Sequence, residues 1–353
     1  MMTSRRVVVG LLTAVVVAWS CGVGPATAQL LINGAGATFP YPIYSKWFDE
    51  YAKISRSVNF NYQSIGSGGG IRQITARTVD FGATDGPMTD EQLKAAPGEL
   101  FHVPTVIGAV VATYNLPGNP KLRFTPDILA DVFFGKITKW NDARIKDVNP
   151  GANLPDQPIV VVHRSDGSGT TYIWVDYLAK VNSEWEQKVG RGTSVKWPVG
   201  LGGKGNEGVA GQIKNTPGAL GYVELAYAIK NNLPAASIRN KAGRFVEPTI
   251  GSTTAAAAGA AAEMPPDFRV SLTNAPGPDV YPIASFTWLL VYREQPDEVK
   301  GKAIVGFLWW ASHDGQKYAA DLLYAPLPAP VVKQIEAKLR QVVYQGRPLL
   351  AAQ

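Results

Sequence analysis

Apolar positions along this 353-residue chain switch repeatedly between strand-like and helix-like spacing. Leu30, Leu31 and Ile32 predict a short strand that runs into Gly34-Ala35-Gly36-Ala37-Thr38-Phe39-Pro40. Pro42 suits a helix start, and Ile43, Tyr44, Trp47, Phe48 and Tyr51 then give that helix one apolar face. Val58, Phe60 and Tyr62 alternate with polar residues and predict a second strand. It ends at Gly66-Ser67-Gly68-Gly69-Gly70, ahead of a short helix through Ile71 and Ile74. Val79 to Pro87 predicts a third strand closed by a turn, and Thr89-Asp90-Glu91 opens a helix with acids in its first turn. The order β-α-β-α-β-α predicts an α/β fold with a parallel sheet. The loops at Thr38, Ser67 and Asp85 all follow strands. They therefore emerge on one edge, where ligands of open α/β sheets bind.

Two longer apolar runs organise the rest. Val103 to Tyr114 is predicted to cross out of this first unit. Tyr281 to Tyr292, in which Phe286, Trp288, Leu290 and Tyr292 alternate, is predicted to return to it. Two crossovers imply a discontinuous domain I, residues 29–112 and 285–353, with domain II, residues 113–284, inserted and a ligand in the cleft. Within the insert, Asp127 to Phe134 predicts a helix and Gly135 to Asn141 a turn-rich link. Ile159 to Val162 predicts a buried strand. After it, Ile173, Trp174, Tyr177, Leu178 and Val181 recur at helical spacing. Between them lies His163-Arg164-Ser165-Asp166-Gly167-Ser168-Gly169-Thr170-Thr171. Trp197 to Gly208 is glycine-rich but lacks the ending of a nucleotide P-loop, and is predicted to be a mobile loop rather than a phosphate cradle. Gly221-Tyr222-Val223 resembles a short strand. The alanine tract from Ala255 to Ala262, broken only by Gly259, is either a plain helix or a loose surface segment. Ala303 to Ala311 and Val331 to Val343 predict terminal helices.

The N-terminus changes the compartment. Arg5 and Arg6, an apolar run from Val7 to Ala18 and the pattern Ala26-Thr27-Ala28 predict a signal peptide over residues 1–28. Ser4-Arg5-Arg6 leaves the export route open between plain and twin-arginine secretion. Cys21 stands where a lipoprotein cysteine would, but Trp19 is bulky where that motif carries a small residue, so soluble release is expected over lipidation. The formal charge of +6 falls to +4 without the two leader arginines. That suits an anionic ligand, and no basic run interleaved with aromatics points to nucleic acid. Cys21 is the only cysteine, so nothing remains after cleavage for a disulfide or a thiolate metal site. His102, His163 and His313 are far apart and form no H-E-x-x-H. Neither Ser67 nor Ser168 sits in G-x-S-x-G. No catalytic residue, metal or cofactor is expected.

The candidate chemistry is anion binding. A strand–loop–helix junction of small residues presents free N–H groups and a positive dipole end, and the chain has three: at Thr38 and Phe39, at Ser67, and at Ser168, Gly169 and Thr170. Arg164 carries a planar permanent charge suited to two oxygens of a tetrahedral anion, with Asp166 two residues on to hold it or to form an ordinary surface pair. Ser168 alone would read as a helix cap. Asp85 is the oddity, because a carboxylate repels an anion unless the ligand brings a proton. Phosphate carries an O–H near neutral pH and sulfate does not. An Asx-type turn with Gly86-Pro87 accounts for Asp85 equally well on spacing alone.

Taken together, several blocks resemble one family. Gly34 to Pro40, Tyr62 to Gly70, Val79 to Asp85, Phe134 to Trp140, Arg164 to Thr170 and Leu201-Gly202-Gly203-Lys204-Gly205-Asn206 come in the order found in the phosphate-binding proteins of high-affinity phosphate ABC transporters. The resemblance implies a type II periplasmic-binding-protein fold, two α/β domains joined by two crossover strands, closing as a monomer on one phosphate. It implies ligand contacts from Thr38, Phe39, Ser67, Asp85, Arg164, Ser168, Gly169 and Thr170, with Asp166 restraining Arg164. It also implies a membrane permease and its ATPase as partners. Gly68 departs from a serine sometimes found there, and His163 from an arginine. Binding of another oxyanion, such as sulfate or molybdate, is the first alternative, and an extracellular phosphatase the second.

Overall fold

The computed structural model describes residues 29–261 and 264–350; the leader, its cleavage site and Cys21 lie outside them. Eight strands form one mixed sheet: β1 (Leu30–Gly36), β2 (Val58–Ser64), β3 (Phe81–Thr84), β4 (Leu100–Tyr114), β5 (Val160–Arg164), β6 (Leu201–Gly203), β7 (Ala219–Glu224) and β8 (Ala284–Tyr292). Their spatial order is β2-β1-β3-β8-β4-β7-β5-β6. β1 runs parallel to β2 and β3, and β5 parallel to β6 and β7, as crossovers through helices require. The expected parallel sheet thus holds within each half. The two long strands run antiparallel to their neighbours and make the whole sheet mixed.

β4 changes partner midway. Leu100–Ala109 pair with β8, and Val110–Tyr114 pair with β7. One strand therefore belongs to both halves. Every residue of β4 and β8 is buried, with helices from both halves packed against β4, which is why the sequence there has no polar face. Pro104 lies inside this buried strand and has no N–H for the ladder. The register slips at that point, so that Thr287 faces Val106 and Trp288 faces Pro104. Thr105 is left unmatched, and its Oγ1 donates to Thr287 O at 3.2 Å. Bulges re-aim side chains, and this one sets Thr287 beside the site described below.

Local chemistry fixes the helix starts. The helix Tyr41–Ile54 has Pro42 in its first turn and buries Ile43, Tyr44, Trp47 and Phe48. Thr89 and Gln92 form a reciprocal capping box for Asp90–Ala95. The alanine tract is a helix, Ile250–Ala261, with Ala256 and Ala257 buried; Thr249 and Ser252 bond each other's backbone N–H at its start. The terminal helices run Glu298–Ser312 and Ala329–Leu339. The first begins earlier than its apolar pattern because Asp297 caps it. The second ends earlier, since Val343 joins a short hairpin strand.

One expectation is overturned. Residues 197–208 are not a mobile loop: they contain β6 and the start of a helix, Gly205–Asn215. The glycines serve close packing, since a Cβ on Gly203 would stand 2.8 Å from Val209 N. Among the described residues no helix is long and apolar enough to cross a membrane.

Candidate functional site

The first residues of three helices, Ser67–Thr75, Gly169–Val181 and Gly205–Asn215, meet where the edges of the two half-sheets face each other. Gly169 N donates to Ser67 Oγ at 3.0 Å, Gly68 N to Gly167 O at 2.9 Å, and Asn206 Nδ2 to Thr38 Oγ1 at 2.8 Å. Each of these bonds spans the two halves, so the cleft is closed. Small residues permit the approach. Gly66 has φ 85, and a Cβ there would lie 2.2 Å from Asp166 Oδ2; one on Gly169 would lie 2.6 Å from Asp85 Cβ.

All nine residues singled out from the sequence come together here. Thr38, Phe39, Ser67, Asp85, Arg164, Ser168, Gly169 and Thr170 are buried, and Asp166 is largely so. Arg164 is no surface ion pair. Its side chain is 1% exposed, and it holds Asp166 with two bonds, Nε–Oδ1 at 2.8 Å and Nη2–Oδ2 at 2.6 Å. Gly205 N adds a third bond to Asp166 Oδ1 at 3.1 Å. Burial works to raise the Asp166 carboxyl, but Arg164 and Gly205 outweigh it and hold it below the usual range.

Hydroxyl direction follows from counting. A hydroxyl has one proton and two lone pairs. Thr38 Oγ1 accepts from Asn206 N (3.2 Å) and Asn206 Nδ2. Thr170 Oγ1 accepts from Asn206 Nδ2 (3.0 Å) and Arg164 Nη1 (3.4 Å). Ser67 Oγ accepts from Asp85 N (3.2 Å) and Gly169 N. With their lone pairs occupied, all three hydroxyls donate: Ser67 to Asp85 Oδ2 at 3.4 Å, while Thr38 and Thr170 keep their protons to give. Ser168 does cap its helix, accepting from Thr171 N at 3.0 Å, and it too keeps a proton to give. Among the described residues the N–H groups of Thr38 and Phe39 have no protein acceptor, although both residues are buried.

Asp85 is the acceptor among these donors. Its Oδ1 accepts from Thr287 Oγ1 at 2.8 Å, and its Oδ2 lies 3.4 Å from Ser67 Oγ. The turn reading fails, because Thr84 Oγ1, not Asp85, takes the Gly86 N–H. Burial pushes the Asp85 carboxyl up to about 7, with Thr287, Arg164 and Ser67 only partly offsetting it.

Sequence reasoning missed the residues that hold this cluster. Thr287 arrives from β8, and Tyr227 and Tyr324 donate to Thr38 O and Phe39 O at 2.6 and 2.7 Å. Tyr222 Oη accepts from Arg164 N at 3.2 Å. Asn206 was the one with a signal, as the last residue of a family block. No group of three or more His, Cys, Asp or Glu among the described residues is placed to hold a metal.

A closed α/β cleft lined with donors from both halves is the architecture of the periplasmic-binding-protein (PBP) class, and the family model of the PBP superfamily domain matches residues 22–313. The chain is 49% identical to the phosphate-binding protein PstS of Xylella fastidiosa over 315 residues, 88% of this chain and 85% of that protein. It is 48% identical to PstS of Pasteurella multocida, covering 90% of this chain and 92% of that one. The chain belongs to the PstS family of phosphate-binding proteins. Its fold is also that of PfluDING, a high-affinity periplasmic phosphate-binding protein solved with phosphate, at a TM-score of 0.71 and 21% identity over 90% of this chain and 96% of that one.

Proposed function

We propose that this protein captures inorganic phosphate outside the cytoplasm and delivers it to the permease of an ABC transporter, without catalysing a reaction. The observation that carries the reading is a buried carboxyl, Asp85, set among donors. Thr38, Ser168 and Thr170 give hydroxyl donors, Phe39 a backbone donor and Arg164 the charge, with Asp166 fixing its fork; Ser67 and Gly169, which bond to Asp85 and to Ser67 in the closed cleft, turn their protons to the anion when it binds. Asp85 accepts the proton that phosphate keeps near neutral pH. Sulfate, with no proton, meets a repelled and unpaired acceptor. The names of the PstS relatives support the ligand.

The proposed domains are residues 29–112 with 285–353, and residues 113–284. The partner change within β4 supports a boundary in that strand. Residues 1–28 direct export and are removed, so the mature chain starts at Gln29 in the periplasm; a lipidated Cys21 is the alternative, and the mass of the native N-terminus separates the two.

Calorimetry on the mature chain tests the function. Expected is one phosphate per chain, not displaced by excess sulfate. Equal affinity for both anions overturns the phosphate assignment. Turnover of a chromogenic phosphate ester that is lost on substituting Arg164 or Asp85 overturns the non-enzymatic one.

A further inference from the structure

Glu224 ends β7 inside the closed interface, and the phosphate reading gives it no task. It is fully buried. Its Oε2 accepts from Ala226 N at 2.9 Å, capping the helix Leu225–Lys230. The same oxygen stands 3.3 Å from Tyr324 Oη, which belongs to the other half of the molecule. Oε1 has no hydrogen-bond partner among the described residues. Tyr324 has one phenolic proton, and the shorter contact, 2.7 Å to Phe39 O, takes it. An ionised Glu224 would then set a carboxylate oxygen against a phenol lone pair in a dry interior. A protonated Glu224 makes the same contact a hydrogen bond. The groups around it agree. Asp85, the phenol of Tyr324 and the backbone N–H groups of Ala226 and Tyr227 face it, and among the described residues no cationic side chain bonds it. Burial, above all, and the Asp85 charge push the carboxyl well above its ordinary value, while the Ala226 N–H, the Tyr324 contact and the Tyr227 N–H only partly oppose them.

We propose that Glu224 is a neutral carboxylic acid that clasps the two halves together, donating to Tyr324 Oη so that Tyr324 can donate to Phe39 O. The clasp rests on the phosphate reading above, because what it positions is the backbone that carries the Phe39 N–H. Tyr227 performs the matching task for Thr38 from the same helix, at 2.6 Å to Thr38 O. Neither contact touches the anion itself. Glu224 and Tyr324 therefore set how firmly the cleft closes on any tetrahedral anion, whereas Asp85 sets which anion it is. An acid serves here where an ionised group would not. A second buried negative charge beside the site would oppose phosphate, whereas the protonated form supplies a donor and no charge.

The test uses the full mature chain and inorganic phosphate. Tyr324→Phe deletes one oxygen, and Glu224→Leu deletes the acid; each is expected to weaken phosphate binding by about threefold to tenfold, the usual net worth of one hydrogen bond. Combined, they should cost less than the sum of the two single losses, because both break the Glu224–Tyr324 contact, while Tyr324→Phe also loses the bond to Phe39 O. Glu224→Gln should bind between the wild type and Glu224→Leu, since its amide nitrogen can donate to Tyr324 but cannot accept the Ala226 N–H. The phosphate-to-sulfate affinity ratio should stay constant throughout. In difference infrared spectra a protonated-carboxyl C=O band should vanish in Glu224→Gln and persist in Asp85→Asn. Additive losses, a Gln variant as weak as the Leu variant, a shifted anion ratio or no band lost at Glu224 would overturn the clasp. A wild-type protein that binds no phosphate would instead overturn the functional reading, and the infrared band would still decide the protonation of Glu224.

Discussion

Replacing Asp85 with Asn separates two effects that the wild-type carboxyl holds in opposition. Burial in the closed cleft raises its pKa from 3.8 to about 7. A carboxyl with a raised folded-state pKa favours folding when protonated. That stability is fully present below about pH 3.8 and is lost as pH rises through 7. At about 1.4 kcal/mol per unit, the loss between those limits is about 4 kcal/mol. Asn carries no such slope, so at pH 8 the ligand-free variant should melt higher than wild type, and the difference should shrink towards pH 4. Anion binding should move the other way. The carboxylate accepts the phosphate proton, whereas against sulfate it is a buried acceptor left unpaired, a penalty of roughly 1–3 kcal/mol or more, equivalent to about fivefold to 150-fold in affinity. Asn can donate to a sulfate oxygen, so the phosphate–sulfate gap should narrow by that order. Thermal melts from pH 4 to 8 and paired titrations with both anions read the two effects. A variant less stable than wild type at pH 8, or an unchanged anion ratio, would refute the role given to Asp85.

Three further substitutions probe the rest of the site. Gly169→Ala puts a Cβ 2.6 Å from Asp85 Cβ across the closed cleft. Phosphate affinity should fall at least tenfold, roughly the effect of a 1.4 kcal/mol misfit; affinity near wild type would show that this contact does not limit closure. Asn206→Ala removes the donors that turn the Thr38 and Thr170 hydroxyls towards the ligand. It should weaken phosphate and sulfate alike, by about tenfold or more, and a selective loss of one anion would contradict that account. Arg164→Lys keeps the charge but loses the two-point grip on Asp166. Calorimetry should show a loss of about tenfold to a hundredfold, since a planar fork is not replaced by a point charge; near-wild-type affinity would mean that charge alone suffices.

What the sequence exposed was the part of the site carried by local junctions. Thr38, Ser67 and Ser168 to Thr170 sit at strand–loop–helix turns whose small residues mark them, and Arg164 and Asp166 lie in the same short stretch. The supports were hidden because packing over long separations supplies them. Thr287 reads as one polar position in an alternating strand, and only the bulge forced by Pro104 directs it to Asp85. Tyr227 and Tyr324 read as core aromatics, and their hydroxyl partners lie 189 and 285 residues away. Glu224 looks like an ordinary acid at a strand end. The glycines from Gly200 to Gly205 misled for a physical reason: glycine permits close backbone approach as readily as motion, and β6 uses the former.

On the phosphate reading proposed above, the charge balance around the cleft accounts for how an anion site can still discriminate. Arg164 is matched by Asp166 through two hydrogen bonds, and Asp85 adds acidity rather than removing it. Net attraction for a divalent anion therefore cannot come from formal charge at the site. It comes from oriented dipoles: helix starts, backbone N–H groups, and hydroxyls turned outward because amides occupy their lone pairs. Cations arranged around an open pocket would draw sulfate and phosphate alike. On the proposed reading, dipoles of fixed direction would match ligand oxygens to donors and leave one position, at Asp85, for an oxygen bearing a proton. Selectivity then follows from hydrogen-bond direction, which requires the directions to be fixed before the ligand arrives. Asn206, Thr287 and Tyr324 serve that end by holding the groups that surround the anion.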